Sequence, residues 1–282
     1  MRVFVVGHGG MLGHVVSRYA ARLGHRVLST EERYGAQPRD ALVEAVRASD
    51  ATVVINCLGR TLHGAPTASE LFTANAVLPV HLATRLRPRQ YLVHASTDCV
   101  FRPTGGHQVG DECDASDLYG FSKSLGEAVA RFPNATVIRA SVVGPSPRNG
   151  RGLLEWFLAR PSAVPVPGWT DHRWNGITTL DWAEVAFALA DARLAGQPVA
   201  SVCQPGTAVI SKYELLCTFR DLFRPDAIVS PVATGETVDR SLVPTETRGT
   251  IASQLERLAG WYGDPRYAST QPASRERLGA SA

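Results

Sequence analysis

The chain has 282 residues, 44% of them hydrophobic, with 29 basic and 26 acidic side chains that give a formal charge of +3. That length and composition are ordinary for a globular protein with a sizeable core, either one large α/β domain or a core carrying a small lobe. The charge excess is not gathered into a basic stripe, so neither nucleic acid nor an anionic membrane is implied as a partner.

From the N-terminus, short β-branched runs alternate with helical patterns. The order is strand Val3 to Val6, helix from Met11, strand Val27 to Ser29, helix after Asp40, strand Thr52 to Cys57, helix from Glu70 and strand Tyr91 to Ala95. This is the rhythm of βαβ units, which build a doubly wound, Rossmann-like parallel sheet with helices on both faces. A helix over Tyr119 to Arg131 and a strand over Thr136 to Ala140 follow, before Gly144-Pro-Ser-Pro-Arg-Asn-Gly150 breaks the pattern. Beyond the break we read an apolar helix, Leu153 to Leu158, a proline-rich turn, Pro161 to Pro167, and a loop over Trp169 to Gly176. A helix from Asp181, a strand near Val199 and a helix over Lys212 to Phe223, N-capped by Ser211, come next. We therefore expect a dinucleotide-binding core over residues 1–145, rejoined by 176–204, and a small C-terminal substrate lobe made of 146–175 and 205–282. Thr270 to Ala282 read as a frayed tail.

Five cysteines, Cys57, Cys99, Cys113, Cys203 and Cys217, are scattered, without metal-type pairs or a disulfide framework. The histidines carry no ligand spacing either, and no metal is expected. The opening Met1-Arg-Val-Phe-Val-Val-Gly runs straight into a strand, leaving no room for a cleaved signal, and no apolar run approaches a bilayer span. The reading is a soluble protein of the reducing cytoplasm.

The first strand leads into Gly7-His-Gly-Gly10-Met-Leu-Gly13. Glycines between a strand and a helix let the backbone approach a pyrophosphate, whose charge sits at the helix N-terminus. An ordinary tight turn also uses glycine, and the spacing of three and three differs from the usual two and three. At the end of the second strand Ser29 stands where enzymes that prefer NAD usually carry a carboxylate. Glu31 and Glu32 follow, and Arg33 suits a 2′-phosphate or plain solvent. The expected cofactor is NADPH, with NADH as the alternative.

The strand from Tyr91 ends in the hydroxyls of Ser96 and Thr97. Downstream, Tyr119 and Lys123 are four apart and share a helix face, so an ammonium beside the phenol would lower its pKa of about 10 toward working pH. A phenol so tuned exchanges a proton with a substrate oxygen while a cofactor exchanges hydride with the attached carbon. The bland alternative is a packed tyrosine and a snorkelling lysine.

These segments resemble the extended short-chain dehydrogenase/reductase superfamily and, within it, the dTDP-4-dehydrorhamnose reductase family. The matching pieces are Gly7 to Gly13, Val54-Ile-Asn-Cys57, Asn75 in Thr73-Ala-Asn-Ala, Ser96-Thr-Asp-Cys-Val-Phe101, Tyr119-Gly-Phe-Ser-Lys-Ser-Leu-Gly-Glu127 and Ile138-Arg-Ala-Ser-Val-Val-Gly144. The resemblance implies a catalytic triad of Thr97, Tyr119 and Lys123, with Asn75 as a supporting residue near the cofactor. Cofactor contacts would come from Gly7, Gly10, Met11, Leu12, Gly13, Ser29, Arg33, Cys57, Leu58, Gly59, Asn75, Tyr119 and Lys123. It further implies NAD(P)H-dependent reduction of a 4-keto-6-deoxy sugar on a nucleoside diphosphate, as in deoxysugar biosynthesis, and allows a homodimer.

Substrate contacts are expected from Ser96, Asp98, Cys99, Arg173, Trp174 and Asn175. Trp169, His172 and Thr178 crowd the same loop as the last three, and Arg148 and Arg151 offer further cations. Arginine and aromatic groups suit a diphosphate and a ring, and equally suit packing between lobes. Cys99 stands where rhamnose-forming reductases typically carry an aromatic residue. The missing Thr-Asp-Glu run argues against dehydration. A cysteine here resembles GDP-fucose synthase, in which it would act as an acid/base, with His172 as a conceivable partner; the plain reading is a small buried thiol. The competing functions are a nucleotide-sugar epimerase or reductive epimerase, a reductase of a non-sugar ketone, and a non-catalytic NADP-binding regulatory subunit.

Overall fold

The structure, a computed structural model, describes residues 1–146, 150, 152–263 and 267. Strands β1 (Arg2–Val6), β2 (Arg26–Leu28), β3 (Val53–Asn56), β4 (Tyr91–Ser96) and β5 (Ala135–Arg139) alternate with helices α1 (Met11–Arg22), α2 (Ala41–Ala48), α3 (Ala68–Phe72), α4 (Leu78–Arg85) and α5 (Leu118–Gly126). The second half runs β6 (Val142–Val143), α6 (Leu153–Leu158), β7 (Val166–Trp169), β8 (His172–Trp174), β9 (Ile177–Thr178), α7 (Thr179–Leu194) and β10 (Val202–Cys203). It ends with β11 (Pro205–Gly206), β12 (Ile210–Ser211), α8 (Lys212–Phe223), β13 (Val229–Val232), β14 (Val238–Asp239), β15 (Glu246–Thr247) and α9 (Ile251–Tyr262).

The main sheet has the order β10-β5-β4-β3-β1-β2, with every pair parallel. Successive side chains point to opposite faces. Val3, Val5, Val53, Ile55 and Val93 pack with residues of α1 and α7, whereas Phe4, Val6, Val54, Leu92 and Val137 pack with α2 and α4. Burial on both faces is why these strands are written as continuous apolar runs. The strand order reverses between β1 and β3, so a crevice opens outside their carboxyl ends, where doubly wound sheets bind ligands. Another core, including Phe157, Trp174, Leu215, Phe219, Leu255 and Leu258, binds α6, α8 and α9 together and reaches Val15 of α1.

Several elements differ from the sequence reading. The helix expected from Glu70 is α3 and α4 joined by a π-helical turn, Thr73–Val77, with Pro79 in the first turn of α4. The helix read through Arg131 tightens to a 3₁₀ segment, Glu127–Arg131, after Gly126. The strand expected near Val199 is displaced to Val202–Cys203, because α7 closes only at Ala195 and Gly196 follows it at φ +73°. The loop over Trp169 to Gly176 contains the end of β7 and all of β8. Helix α9 is an addition: Ile251, Leu255, Leu258, Ala259 and Tyr262 form one buried face. The expected tail from Thr270, and Arg148 and Arg151, lie outside the described residues.

Helix α5 is seated on backbone. A Cβ on Gly120 would overlap the carbonyl oxygen of Cys99, and one on Gly126 would overlap that of Asn75. Gly126→Ala is therefore expected to cost about 1–3 kcal/mol in urea unfolding, as overpacking does. Gly110→Ala, where nothing lies within 4 Å, is the control and should stay within about 0.5 kcal/mol of the parent.

Candidate active site

The crevice floor is built by glycines for two different reasons. Gly7 has φ +79°, and a Cβ on it would stand 2.8 Å from the Leu58 amide nitrogen, while one on Gly13 would overlap the Gly7 carbonyl. Gly7 is required by the close approach of the β1–α1 turn to the segment after β3, and Gly13 by the packing of α1 onto the turn itself. Gly10 differs: its φ of −80° is ordinary, and a Cβ there would meet nothing nearer than the Gly7 carbonyl oxygen at 3.4 Å. Packing does not demand a glycine at Gly10, so the open space in front of it is free for a ligand. Gly10 caps α1 without a side-chain hydrogen bond, and no acidic residue stands in the first turn. The turn therefore offers amide donors and a positive helix end to an anion, and it fits a pyrophosphate.

Asn75 fixes the other wall. Its Oδ1 accepts from the Arg60 amide at 2.8 Å, and its Nδ2 donates to the Arg60 carbonyl at 2.8 Å and to Ser122 Oγ at 2.9 Å. All its capacity goes into holding the Leu58-Gly59-Arg60 segment against α5, so Asn75 positions that segment. A Cβ on Gly59 would stand 3.2 Å from Asn75 Oδ1 and 3.9 Å from Lys123 Nζ. Ser29 and Arg33 are exposed after β2; Glu31 is the residue tied to the glycine turn, through His8 Nε2 at 3.1 Å.

Thr97, Tyr119 and Lys123 meet where β4 ends against α5. Thr97 Oγ1 donates to Asp98 Oδ1 at 2.8 Å and accepts from the Cys99 amide at 3.2 Å; it stands next to the Tyr119 phenol, whose pKa it draws downward. Lys123 Nζ donates to the Ala95 carbonyl at 2.6 Å. Burial pulls the Lys123 ammonium down to about 8, resisted by Glu127 and Cys57. The phenol moves opposite to the sequence expectation: burial, then the neighbouring Cys99 and Asp98, push it above its ordinary value. Burial dominates, and no cation offsets it, since the Lys123 ammonium is taken up by the Ala95 carbonyl. Tyr119 is thus held as a neutral, protonated donor.

Of the residues expected to face substrate, three are spent internally. Ser96 Oγ donates to Glu127 Oε1 at 2.5 Å, inside a buried ion pair of Glu127 with Arg139. Trp174 is buried in the second core. Asn175 exchanges hydrogen bonds with the Leu242 backbone at 2.8 and 3.0 Å. Thr178 likewise caps α7. Arg173 is exposed and lines an open cavity of about 420 Å³ with Ser211, Tyr213 and Glu214. The Cys99 thiol is pushed up to about 12, by burial and then by Asp98. His172, named as its conceivable partner, instead packs on Trp169 at 4.6 Å and lies 3.4 Å from Thr234 Oγ1.

Two cations of the second half escaped the sequence reading. Arg240 Nη1 donates to the Phe101 carbonyl at 3.0 Å, and both Arg240 and Lys212 act electrostatically on buried Asp98. Lys212, the first residue of α8, is lowered by burial and drawn upward by Asp98 and Cys99. The only signal for it was its place directly after the Ser211 cap. Among the described residues no group of three or more His, Cys, Asp or Glu side chains could hold a metal ion.

The family model for the RmlD substrate binding domain matches residues 1–248. The chain belongs to the RmlD substrate-binding domain family. A curated relative, the dTDP-4-dehydrorhamnose reductase of Mycobacterium tuberculosis, is 31% identical over 210 residues, covering 70% of this chain and 68% of the relative. Among solved structures, a dTDP-4-dehydrorhamnose reductase from Clostridium acetobutylicum superposes with a TM-score of 0.76 at 20% identity, over 94% of this chain and all of that one. The Bacillus anthracis enzyme of the same name, in complex with NADP, gives 0.75 at 16% identity, over 91% of this chain and 98% of that one.

The Lys123 ammonium gives the site a pH signature. Its proton leaves the folded chain near pH 8 but the unfolded chain only near 10.5. Between those values the unfolded state binds more protons, so the stability contributed by this position rises with pH. The melting temperature of the parent minus that of Lys123→Met should therefore increase from pH 8 toward 10.5; a flat difference in scanning fluorimetry would contradict the buried ammonium.

Proposed function

We propose that this protein is an NAD(P)H-dependent reductase of a nucleoside-diphosphate-linked 4-keto-6-deoxy sugar, of the dTDP-4-dehydrorhamnose reductase type. The observation that carries the reading is the Tyr119 phenol, kept protonated by burial and set beside Thr97 where β4 meets α5, with Lys123 on the same helix. Family membership and the relatives' names support it. The nicotinamide cofactor supplies the hydride when bound. The amides of Met11, Leu12 and Gly13 would hold its pyrophosphate, and Asn75 keeps Leu58 and Gly59 in place beside it. Thr97 and Tyr119 hold the keto oxygen of the substrate, and Tyr119 gives that oxygen its proton. Lys123 contributes a donor and positive charge at the same end of β4. Arg173, Lys212 and Arg240 offer positive charge to the substrate diphosphate from the second half of the chain, which acts as the substrate lobe. A reducing cytoplasmic location goes with the five cysteines, all unpaired.

Reduction needs a donor that is still protonated at neutral pH, and the raised phenol meets that need. Tyr119→Phe should bind NADPH as the parent does but turn over about 10²- to 10⁴-fold more slowly, the usual worth of a positioned acid. The assay is NADPH oxidation with dTDP-, UDP- and GDP-linked 4-keto-6-deoxy sugars, with NMR of the product. Unchanged turnover would remove Tyr119 from the mechanism, and epimerised sugar without net NADPH loss would favour the epimerase.

The apolar stripe on α5 supports a homodimer. Leu118, Phe121 and Leu125 are 51%, 48% and 45% exposed and recur on one helix face, with Val77 45% exposed nearby and Phe72 edge-on to Phe121. Contiguous apolar surface of this kind, repeated in a second copy, suits a two-fold interface. Light scattering after gel filtration should give a dimer for the parent and a monomer for Phe121→Glu.

A further inference from the structure

We propose that His14 is a positioning residue through which helix α9 holds the glycine turn in shape for a dinucleotide pyrophosphate, an inference that rests on the cofactor reading above. His14 stands one residue past Gly13, on the first turn of α1. Its Nδ1 lies 2.9 Å from the Gly10 carbonyl oxygen, and its Nε2 lies 2.9 Å from the Tyr262 hydroxyl. A carbonyl only accepts, so Nδ1 carries the proton, and in the neutral ring Nε2 accepts from Tyr262. Burial holds the imidazole below its ordinary range, with Arg18 and Glu155 as the charged groups that face it, and this keeps the neutral tautomer.

The geometry links that bond to the anion site. In a trans peptide the C=O and the following N–H point in opposite directions. The Gly10 carbonyl, held by the His14 backbone amide at 3.1 Å and pinned further by the imidazole, aims the Met11 amide the other way, out of the helix N-terminus, where Gly10 leaves open space. Tyr262 is itself held. Arg18 Nη2 donates to its carbonyl at 3.0 Å, the Arg18 guanidinium lies 4.5 Å from its ring, and Tyr267 meets it edge-on at 5.2 Å. The Tyr267 hydroxyl donates to Glu155 Oε1 at 2.5 Å, which also accepts from the Ser146 amide at 2.7 Å. Helix α9 lies beyond residue 248, where the family match ends, so the partner of His14 comes from outside the matched segment.

The test is fluorescence titration of NADPH and NADH onto the parent, His14→Phe and Tyr262→Phe, followed by steady-state kinetics. His14→Phe should weaken cofactor binding by about three- to tenfold, the range of one net hydrogen bond, and Tyr262→Phe by less. The double variant should be no weaker than His14→Phe alone, because the tyrosine acts through the histidine. With saturating cofactor, kcat and the KM for the keto sugar should stay within about twofold, a split that a general loss of structure would not give. Unchanged cofactor affinity in His14→Phe overturns the proposal, as does a parallel loss of both KM values and kcat. Should His14→Phe fail to fold, Tyr262→Phe decides, and an unchanged dissociation constant there overturns it too. A parent that binds neither nicotinamide cofactor overturns the functional reading, and this inference with it; a parent that binds while His14→Phe binds equally overturns the inference alone.

Discussion

The site depends on how closely α5 can lie against the backbone beneath it. Thr97 comes from the end of β4 and Tyr119 and Lys123 from α5, so the distance between those two elements sets the geometry of all three. Gly120 lets the first turn of α5 touch the carbonyl of Cys99, and Gly126 lets its last turn touch that of Asn75. Between them, Ser122 accepts from Asn75 and donates to the Tyr119 carbonyl. A helix resting on side chains would drift with each rotamer, whereas one resting on peptide groups has no such freedom.

Burial then sorts the ionisable groups of that small volume by charge. The Glu127–Arg139 pair is fully enclosed, with Ser96 and Gln204 completing its hydrogen bonds, and so persists as a charged pair. Glu127 also supports the proton on Lys123, which burial alone would strip. Tyr119 has no such cation and stays neutral. One dry region thus keeps an ammonium within reach of neutral pH and a phenol protonated, and the difference comes from which partner each side chain faces. A reductive step asks only for the second of these; an oxidative one would need the phenol ionised first.

The sheet, the glycine turn and the Tyr119/Lys123 pair were legible because each is a local signal: β-branched runs, a strand followed by spaced glycines, and a four-residue helical interval. What the sequence hid is where a side chain's hydrogen bonds are spent. Ser96 and Asn175 have the chemistry of binding groups, yet Glu127 and the Leu242 backbone consume them, and both partners are remote in sequence. The electrostatic direction at Tyr119 was equally illegible, since it turns on burial of the phenol and on the Lys123 ammonium being taken up by Ala95. Lys212 and Arg240 reach Asp98 only because the chain returns to the catalytic loop from its second half. Helix α9 is a different case: the periodic run of Ile251, Leu255, Leu258 and Tyr262 was present and went unread.

The second half touches the first at both ends of the crevice, and this decides how recognition and chemistry are joined. At one end β14 and its neighbours are stitched to the loop after Cys99: the Asp239 amide donates to the Pro103 carbonyl at 2.8 Å, and the Gly106 amide donates to that of Ser241 at 2.9 Å. The same strand pairs with β8, which carries Arg173 and pairs in turn with β12, directly before Lys212. Any movement of the cationic wall is therefore transmitted to the segment that holds Thr97, Asp98 and Cys99. At the other end α9 grips α1 through Arg18 and His14. A lobe fastened at one point could swing over the crevice; this one is fastened at two, through β14 and through α9.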